Sequence, residues 1–324
     1  MPDVICDFSE VVISQLAPNK VHVSPARGLT APDSYKTCLT YADGFRGGTY
    51  LSFYGFDAAK KAQKFCDAAF ARANKVLRGH NLGEYSETSV EIMGAESQFG
   101  DFASDHSPRE VVTKIAVKHP EAAAIGVLLK ELSGQGLATP PGLSGFSGAR
   151  AKPSPVVRLF SYLTPKNELS AQVDVDGVLS EMNDSPGAAL DVGSIVRPAA
   201  PSAPDHSSDM VDVPLIKLAW ARSGDKGNKA NIGVIARDAD YVPYIWAALS
   251  EQSVAARFAH FIEGEPKVDK FYMPGGNAIN FLIDAILGGG GVASIRNDAQ
   301  GKGYGQILLA HPVAIPAQIA EKLA

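Results

Sequence analysis

The hydrophobic periodicity of the chain changes near residue 57, and this change restricts the possible folds more than any other feature. Before it, the runs 4–13, 20–24 and 49–54 are rich in β-branched residues or alternate apolar and polar positions, which is typical of β-strands. Over 57–78 the apolar residues recur at helical spacing and predict an amphipathic helix with an alanine-rich face. The chain therefore begins with a mixed domain of strands and helices.

The middle of the chain carries a helix-start signal at Ser107-Pro108-Arg109-Glu110. A serine three residues before a glutamate forms a capping box, and proline is favoured at the first helical position. We therefore predict a helix that runs from this box to the break at His119-Pro120 and a second helix over 121–132. With strands at 156–163 and 169–175, these elements complete a first domain over residues 1–197.

A proline-rich segment separates this domain from the rest of the chain. Residues 197–212 read RPAAPSAPDHSSDMVD and lack apolar periodicity, which predicts a linker at 198–212. The remaining residues, 213–324, contain seven regular elements: strands at 214–221, 231–236, 268–273 and 306–311, and helices at 241–258, 277–287 and 316–323. This pattern predicts a four-stranded α+β sandwich, so we expect an α+β or α/β class with a mixed-sheet first domain.

The charge balance and the apolar runs exclude two classes of partner. The 324 residues include 30 Lys+Arg and 35 Asp+Glu, a formal charge of -5, which disfavours nucleic acid because phosphate affinity depends on cationic density. No apolar run approaches the ~20 residues of a membrane span, and the acidic start lacks the basic residues of a secretion signal. We therefore expect a cytoplasmic protein that binds neither nucleic acid nor membrane.

The three cysteines do not predict a disulfide or a metal site. Cys6, Cys38 and Cys66 are odd in number, widely spaced and outside any CxxC pair. We expect buried, unreactive thiols, with a reactive thiol as the alternative. Because the sequence also lacks HExxH and clustered His/Cys residues, we predict no metal site.

The sharpest candidate site is a polar segment between two apolar strands. Its residues are Ala221, Arg222, Ser223, Gly224, Asp225, Lys226, Gly227 and Asn228. Two glycines allow the backbone to turn its N–H groups toward an anion, and Arg222 and Lys226 add positive charge. Asp225 can orient one of these cations or act as a base. Two interpretations stay open: a binding or catalytic loop, and a tight connection whose charges pair locally.

Three further features carry weaker signals. Gly275, Gly276 and Asn277 form a turn in which Asn277 is a predicted helix N-cap, so free amides would face an anion or thioester oxygen; a plain strand-to-helix turn is the alternative. The glycine run 288–291 is either a mobile loop or one that a ligand approaches closely. Arg150 is either an anion clamp or an ordinary solvated or packed arginine.

Two carboxylates near a short predicted strand at 89–93 are also candidates. Glu91 and Glu96 lie on either side of Gly94, at a strand end where functional sites often occur. We favour the interpretation that both are surface carboxylates without a role in a site.

With these motifs in view, the chain resembles the acyclic terpene utilisation (AtuA-like) family. The resemblance is carried by DVICDF at 3–8, VHVSPARG at 21–28, YADGF at 41–45, PRE at 108–110, PPG at 140–142, PVV at 155–157, ARSGDKGN at 221–228, ANIG at 230–233 and PGGN at 274–277. The last three segments are similar to the ferredoxin-like C-terminal region of the family. Family members usually carry a further N-terminal α/β half, so the resemblance implies that this chain corresponds to the C-terminal half.

The family's role implies branched acyl-CoA or related carboxylic ester substrates and a lyase or hydration step in terpene-like or branched-acid catabolism. Such a step needs a base and donors for an enolate oxygen, and we expect no cofactor beyond the coenzyme A thioester of the substrate. We assign catalysis to Asp225 as the base together with Lys226, with Arg222 and Lys226 as clamps and the amides around Gly224 and Gly227 as donors. The remaining candidate substrate-binding residues are Ser223, Asn228, Gly275, Gly276, Asn277 and Arg150.

Two other hypotheses stay open beside the enzyme. The chain could be a non-catalytic assembly or regulatory subunit that completes a partner chain carrying the missing N-terminal half. It could also be a small-anion binding protein without turnover. We expect an acyl-CoA as the small-molecule partner, and either a homo-oligomer or a complex with the chain that supplies the missing half.

Overall fold

The computed structural model describes residues 6–8, 10–104, 106–145, 150–189, 191, 193, 195–204 and 209–323. The chain divides into two compact units. The first comprises Met1–Thr40 and Leu159–Arg197, and the second comprises Tyr41–Arg158 and Pro198–Ala324.

These units differ from the predicted division into 1–197 and 213–324. The physical reason is that segment 41–158 packs with the C-terminal region through hydrogen bonds between the buried side chains of Lys114 and Glu91 and the backbone of Ile295 and Asn297. Within the predicted linker, 198–204 and 209 contain no helix or strand, whereas a strand begins at Met210.

The regular elements follow one another in this order along the described residues. The strands are β1 (Cys6–Asp7), β2 (Val12–Ala17), β3 (Lys20–Ser24), β4 (Arg27–Gly28), β5 (Ser34–Tyr54), β6 (Glu87–Met93), β7 (Glu110–His119), β8 (Leu143–Ser144), β9 (Ser154–Pro165), β10 (Gln172–Val175), β11 (Val178–Glu181), β12 (Met210–Pro214), β13 (Ala219–Lys226), β14 (Lys229–Ala236), β15 (Val268–Met273), β16 (Ala278–Ile283) and β17 (Pro312–Pro316). The α-helices are α1 (Ala58–Gly79), α2 (Ala122–Gln135), α3 (Val242–Ala248), α4 (Glu251–Arg257), α5 (Tyr304–Leu309) and α6 (Ala317–Ala320).

The first unit contains three small antiparallel pairs, β1–β4, β2–β3 and β10–β11. Every residue of β2, β10 and β11 is exposed, although these strands carry valine, leucine and isoleucine. Both clusters of buried apolar side chains found among the described residues lie in the second unit. The described part of the first unit therefore leaves much of its apolar surface in contact with solvent.

The second unit begins with a five-stranded sheet in the order β6-β7-β5-β8, in which β9 also pairs with β5; we call it the first sheet. Helices α1 and α2 pack on one face of it, around a core that includes Phe53, Phe65 and Ile115. The helix that periodicity predicts at 57–78 and the helix predicted at 121–132 after the break at His119-Pro120 are both confirmed. On the opposite face, Glu91, Lys114 and Tyr50 stand in register across β6, β7 and β5.

The helix predicted from the capping box at Ser107 is wrong, because the chain forms strand β7 there. The segment EVVTKIAV is rich in β-branched residues, which favour a pleated strand over a helix. As a central strand, β7 pairs with β5 along ten residues and with β6 along seven. Pairing with two neighbours outweighs a capping signal that stabilises a helix end by only ~1 kcal/mol.

The second unit also contains the antiparallel sheet β13-β14-β16-β15, which we call the C-terminal sheet. Helices α3, α4 and α5 share a core with its inner face, where Ile232 and Phe281 are fully buried. The strand predicted at 268–273 is confirmed as β15, and the one at 231–236 lies within β14. The molecule is therefore a mixed α+β protein, as the sequence predicts.

Two predicted elements near the C-terminus are wrong. The region 277–287, expected as a helix, contains strand β16, and the region 306–311, expected as a strand, is largely helix α5. In β16 every second side chain, Ile279, Phe281 and Ile283, is buried against the core. Burial alternates with a period of two because the segment is a strand whose one face packs on the core.

Gly48 is required by the close approach of β5 and β7. A Cβ atom there would lie 2.2 Å from the carbonyl oxygen of Ile115. We expect Gly48→Ala to destabilise the protein by about 1–3 kcal/mol, because the strands must shift apart. The matched control is Gly126→Ala on α2, where nothing lies within 4 Å and we expect a gain of about 1 kcal/mol. Urea unfolding of both variants measures this; equal stabilities would contradict the packing argument.

The cysteines differ in their access to solvent. Cys66 is buried on α1, as predicted, whereas the expectation of buried thiols is wrong for Cys6 and Cys38, which are exposed. Burial, with a smaller contribution from Asp67, raises the pKa of Cys66 to about 12. A thiol reagent should therefore label two cysteines in the native protein and the third only after denaturation. Rapid labelling of Cys66 under native conditions would show that α1 opens readily from the sheet.

Candidate functional site

The polar segment at 221–228 is a β-hairpin and not the loop that the sequence suggested. Residues up to Lys226 belong to β13, Gly227 and Asn228 form a two-residue turn with Gly227 at a φ of +67°, and β14 follows. Because successive side chains of a strand point to opposite faces, Ser223 and Asp225 lie on one face and Arg222 and Lys226 on the other. The structure therefore separates the predicted clamps from the predicted base.

Ser223 is a buried hydroxyl that positions the start of α5. Its Oγ donates a hydrogen bond of 2.6 Å to the carbonyl oxygen of Gly301 and accepts one of 2.8 Å from the amide of Gly305. A Cβ atom on Gly305 would lie 3.3 Å from the backbone of Arg222, so helix and strand are in direct contact. The contacts of Ser223 thus hold the C-terminal region together.

Asp225 lies at the side of the hairpin next to a lysine. Its Oδ1 is 3.5 Å from Nζ of Lys302, and both side chains are partly exposed. The Lys302 backbone is fixed in turn, because its amide donates to Oδ1 of Asp298 at 2.9 Å. Lys226 Nζ donates to the carbonyl oxygen of Asp225 at 2.8 Å. Asp225 is therefore a solvent-accessible carboxylate next to a positive charge.

The glycine run 288–291 packs against the tip of this hairpin. Gly288, Gly289 and Gly290 all have φ between +62° and +92°, which residues with a Cβ rarely adopt. The amide of Gly289 donates to Oδ1 of Asn228 at 2.9 Å, and a Cβ atom on Gly290 would lie 2.9 Å from the carbonyl oxygen of Gly227. The structure shows a close approach to the glycine run, and what approaches it is the hairpin tip of the same chain.

The segment after the glycine run and the polar face of the first sheet border an open cavity of about 370 Å³. It is lined by backbone and side chains of β5, β7, the start of β9 and the segment 291–299; the lining residues are Arg46, Gly47, Gly48, Thr49, Tyr50, Lys114, Ile115, Ala116, Lys152, Ser154, Gly291, Ser294, Ile295, Arg296 and Ala299. We call it the cationic cavity, because four of these residues are lysine or arginine and, within the described chain, none is a carboxylate.

Two of the four cations are balanced by carboxylates behind the cavity wall. Lys114 pairs with Glu91, and Arg296 pairs with Glu263 at 3.2 Å. Arg46 instead donates two hydrogen bonds of 2.9 Å to the carbonyl oxygens of Val292 and Ser294. As far as the structure describes the chain, neither Arg46 nor Lys152 forms an ion pair, so the cavity carries an excess of positive charge.

Glu91 and Lys114 form a buried pair that the sequence did not reveal. The expectation that Glu91 is a surface carboxylate is wrong: Nζ of Lys114 lies 2.7 Å from its Oε1, and both side chains are only 9 % exposed. Oε1 also accepts from the amide of Asn297 at 2.7 Å, and Oε2 accepts from Gln98 at 2.6 Å. Nζ of Lys114 also donates to the carbonyl oxygen of Ile295.

The environment of the pair changes the acidity of three groups. Burial opposes ionisation of Glu91, yet the hydrogen bonds from Lys114 and Asn297 outweigh it and hold the pKa of Glu91 below its usual range. Burial lowers the pKa of Lys114, and the pairing with Glu91 only partly opposes this. Burial, and then the charge of Glu91, raise the pKa of Tyr50, whose hydroxyl donates to Oδ1 of Asn297 at 3.1 Å. An ionised pair thus lies at the wall of the cationic cavity.

The structure does not bring the predicted residues Gly275, Gly276, Asn277 and Arg150 to the cationic cavity. Gly275, Gly276 and Asn277 lie in the turn that connects β15 to β16, where Pro274–Gly276 form a single 3-10 turn; the helix predicted to begin after Asn277 is wrong, because strand β16 begins there. This turn adjoins the Ile235 end of β14, whereas the tip at Gly227 adjoins the opposite end. Arg150 is exposed and does not line the cavity. The predicted binding residues therefore occupy separate parts of the surface.

The described residues contain neither a cluster of metal-binding side chains nor a membrane-spanning helix. No three His, Cys, Asp or Glu side chains in this part of the chain are arranged to hold a metal ion. None of its helices combines the length and the apolar character needed to cross a bilayer.

Comparison with known proteins gives two matches to protein families. The model of the acyclic terpene utilisation family protein AtuA matches residues 1–175, and the model of the AtuA ferredoxin-like domain matches residues 213–314. No curated protein and no solved structure matches significantly. The first match begins at residue 1 and the second at residue 213. The similarity to the family therefore extends to the N-terminal part of the chain and is not confined to the ferredoxin-like region.

The buried pair predicts a strong and non-additive effect of mutation. Lys114→Met leaves the Glu91 carboxylate buried without its cation, so we expect a loss of about 3–5 kcal/mol in unfolding free energy. The double variant Glu91→Gln, Lys114→Met should lose less than the sum of the single losses. Lys60→Met, which removes an exposed pair with Asp57, is the control and should change stability by less than ~1 kcal/mol.

The pair also predicts an acid limit to stability. Because the pKa of Glu91 in the folded protein is lower than the unfolded value of 4.5, its contribution is present above that value and lost as pH falls through the folded pKa. Urea unfolding between about pH 6 and pH 3 should show a steeper loss for the native chain than for Glu91→Gln. Parallel curves would mean that Glu91 does not contribute as an anion.

Proposed function

Because the chain belongs to the acyclic terpene utilisation family, we propose that it acts on a branched acyl-CoA or related carboxylic ester by lyase or hydration chemistry. The family matches cover residues 1–175 and 213–314, and the family is implicated in acyclic terpene utilisation, which supports the proposal. The substrate class and the reaction are our own inference.

The excess positive charge of the cationic cavity is the observation that carries this proposal. A carboxylate, thioester enolate or phosphate that entered it would meet Arg46 and Lys152 without displacing a carboxylate of the described chain. A volume of about 370 Å³ is within the ordinary range for small-molecule pockets and suits a short branched acyl group. Charge-assisted hydrogen bonds from arginine and lysine are the usual means of holding such anions.

The assignment of the base follows from the position of Asp225. A Cβ atom on Gly291, a residue of the cavity wall, would lie 3.4 Å from Oδ2 of Asp225. Asp225 thus lies next to a glycine of the cavity wall, with Nζ of Lys302 at 3.5 Å from its Oδ1. In the proposed step, Asp225 removes a proton from the carbon next to the thioester, and the cavity cations stabilise the enolate oxygen.

The anion-binding role passes from the residues that the sequence suggested to those of the cavity. Arg222 and Lys226 lie on the face of β13 opposite to Asp225, so a ligand that contacts the base does not lie between them. Arg46 and Lys152 take their place in the proposal, because both line the cavity and neither forms an ion pair within the described chain. The absence of a cofactor and the participation of a CoA thioester remain predictions.

A second candidate function is that of a non-catalytic subunit that completes a partner chain. The exposed apolar strands β2, β10 and β11 of the first unit favour it, because a partner surface would remove them from water. Co-purification of a second polypeptide in fixed stoichiometry, together with no turnover by the isolated chain, would support this function over the first.

The enzyme hypothesis predicts separate effects on catalysis and binding. Asp225→Asn should reduce turnover of a 3-hydroxy-3-methylglutaryl-type thioester by at least ~100-fold with little change in affinity, because only the base is lost. Arg46→Met should weaken binding by ~10-fold or more, since a charge-assisted contact is removed. Turnover assays and thermal-shift titrations with the thioester measure the two effects.

The controls are matched to each residue. Asp284→Asn removes a carboxylate that pairs with Lys229 at 2.7 Å, and Arg72→Met removes an arginine that pairs with Glu131 at 2.7 Å; neither should change activity. Wild-type rates in Asp225→Asn would eliminate Asp225 as the base. Unchanged affinity in Arg46→Met would eliminate the cationic cavity as the binding site.

A further inference from the structure

The amine of Lys302 lies at the edge of the C-terminal sheet, between the two faces of strand β13. Its Nζ is 3.5 Å from Oδ1 of Asp225, whose side chain belongs to the same face of the strand as the buried Ser223. The same Nζ is 2.9 Å from the position that a Cβ atom on Gly224 would take, on the opposite face. Because Gly224 has no side chain, a cation can lie directly beside its backbone.

Two further cations flank Gly224 on its own face. Side chains two residues apart on a strand point the same way, so Arg222, Gly224 and Lys226 share the face opposite to Asp225. Arg222 and Lys226 are exposed, and neither forms an ion pair in the part of the chain that the structure describes. We call Arg222, Lys226 and Lys302 the edge cations, because β13 is an edge strand of its sheet.

The nearby carboxylates that the structure describes have other partners or lie at a distance. Asp284 pairs with Lys229 at 2.7 Å and with Lys267 at 3.6 Å. Asp298 accepts hydrogen bonds from two backbone amides. Asp269 is in the same cross-strand row as Gly224, but on the far edge strand β15, three strand spacings or ~14 Å away. The edge therefore has a local excess of positive charge in a chain whose formal charge is -5.

The edge cations and the cationic cavity lie on two sides of one carboxylate. A Cβ atom on Gly291, in the cavity wall, would be 3.4 Å from Oδ2 of Asp225, and Lys302 is 3.5 Å from its Oδ1. A short series of contacts thus leads from the cavity past Asp225 to the outer face of β13. A ligand with one end in the cavity and a long flexible arm can place an anionic group at its other end among the edge cations.

We propose that the edge cations bind the phosphate groups of the coenzyme A part of the substrate. This inference rests on the proposed function, which takes an acyl-CoA as the ligand. Coenzyme A carries a pyrophosphate and a ribose phosphate at the far end of its pantetheine arm, so the thioester and the phosphates can lie on different faces of β13. A cavity of about 370 Å³ suits the acyl group but is too small for the whole of coenzyme A. Arginine and lysine are the side chains that recognise phosphate by charge-assisted hydrogen bonds.

Titration calorimetry of the full chain with coenzyme A and with pantetheine, which lacks the phosphates, tests the proposal. We expect coenzyme A to bind at least ~30-fold more tightly, because several charge-assisted contacts are added. The double variant Arg222→Gln, Lys226→Gln should reduce this preference by ~10-fold or more, since two of those contacts are lost. The preference should also fall as salt is added, because the edge cations are exposed. Circular dichroism shows whether the variant is folded.

The matched control is a lysine near the same end of the C-terminal sheet. Lys267→Gln removes a cation that pairs with Asp284 at 3.6 Å, away from the edge strand β13. It should leave the preference for coenzyme A within ~2-fold of the native value, because an exposed pair of this kind contributes little. A loss equal to that of the double variant would mean that the sheet attracts anions without a site, and would overturn the proposal.

Three further results would also overturn the phosphate site: no binding of coenzyme A by the native chain, equal affinities for coenzyme A and pantetheine, and a native preference in the double variant. Turnover of the 3-hydroxy-3-methylglutaryl-type thioester by the native chain is measured alongside and separates the two proposals. Binding that depends on the edge cations, without turnover, would count against the enzyme hypothesis alone. Turnover without a preference for coenzyme A over pantetheine would count against the phosphate site alone.

Discussion

A lysine–glutamate pair connects the central strand of the first sheet to the segment that follows the C-terminal sheet. Lys114 contributes a hydrogen bond to Ile295, and Glu91 accepts one from Asn297, so each member of the pair holds the same segment. Two charges with this little exposure are stable only when their hydrogen-bonding capacity is satisfied by partners at good distances. The cavity, the glycine run and the hairpin tip all lie next to this connection.

The glycine run determines how closely the second unit can assemble around that pair. Side chains at Gly290 and Gly291 would contact Gly227 and Asp225, and left-handed backbone at Gly288–Gly290 would be strained for other residues. The four consecutive glycines therefore serve close backbone packing against the hairpin. Their sequence signal is unspecific, because a flexible linker and a tightly packed turn use the same residue.

Which side chains can act together at the candidate site depends more on the geometry of strand β13 than on the residue types that the segment contains. Five ionisable or polar side chains occur close together in the segment 221–228, yet alternation along β13 sends them to two faces. Ser223 turns inward to hold α5, Asp225 reaches the glycine run, and Arg222 belongs to an open sheet surface. One motif thus contributes to packing and to the proposed site.

The sequence by itself determined the elements whose periodicity is strong and local. The alanine-rich pattern of α1, the helix α2, the strand β15 and the α+β class follow from spacing alone, since these patterns do not require a particular neighbour. Prediction from local sequence signals was wrong where two signals favoured different secondary structures. At β7 a capping box preceded a β-branched run, and the run formed a strand because β5 and β6 were available on both sides.

Tertiary structure alone decided which polar residues meet. Glu91 and Asn297 are 206 positions apart, so no spacing rule predicts their hydrogen bond, and the buried pair with Lys114 depends on the register of β6 and β7. The same holds for the cavity, whose cations come from β5, β7, the segment just before β9 and the segment after the glycine run. Contacts between distant segments depend on the fold, because their energy arises only when the segments are packed together.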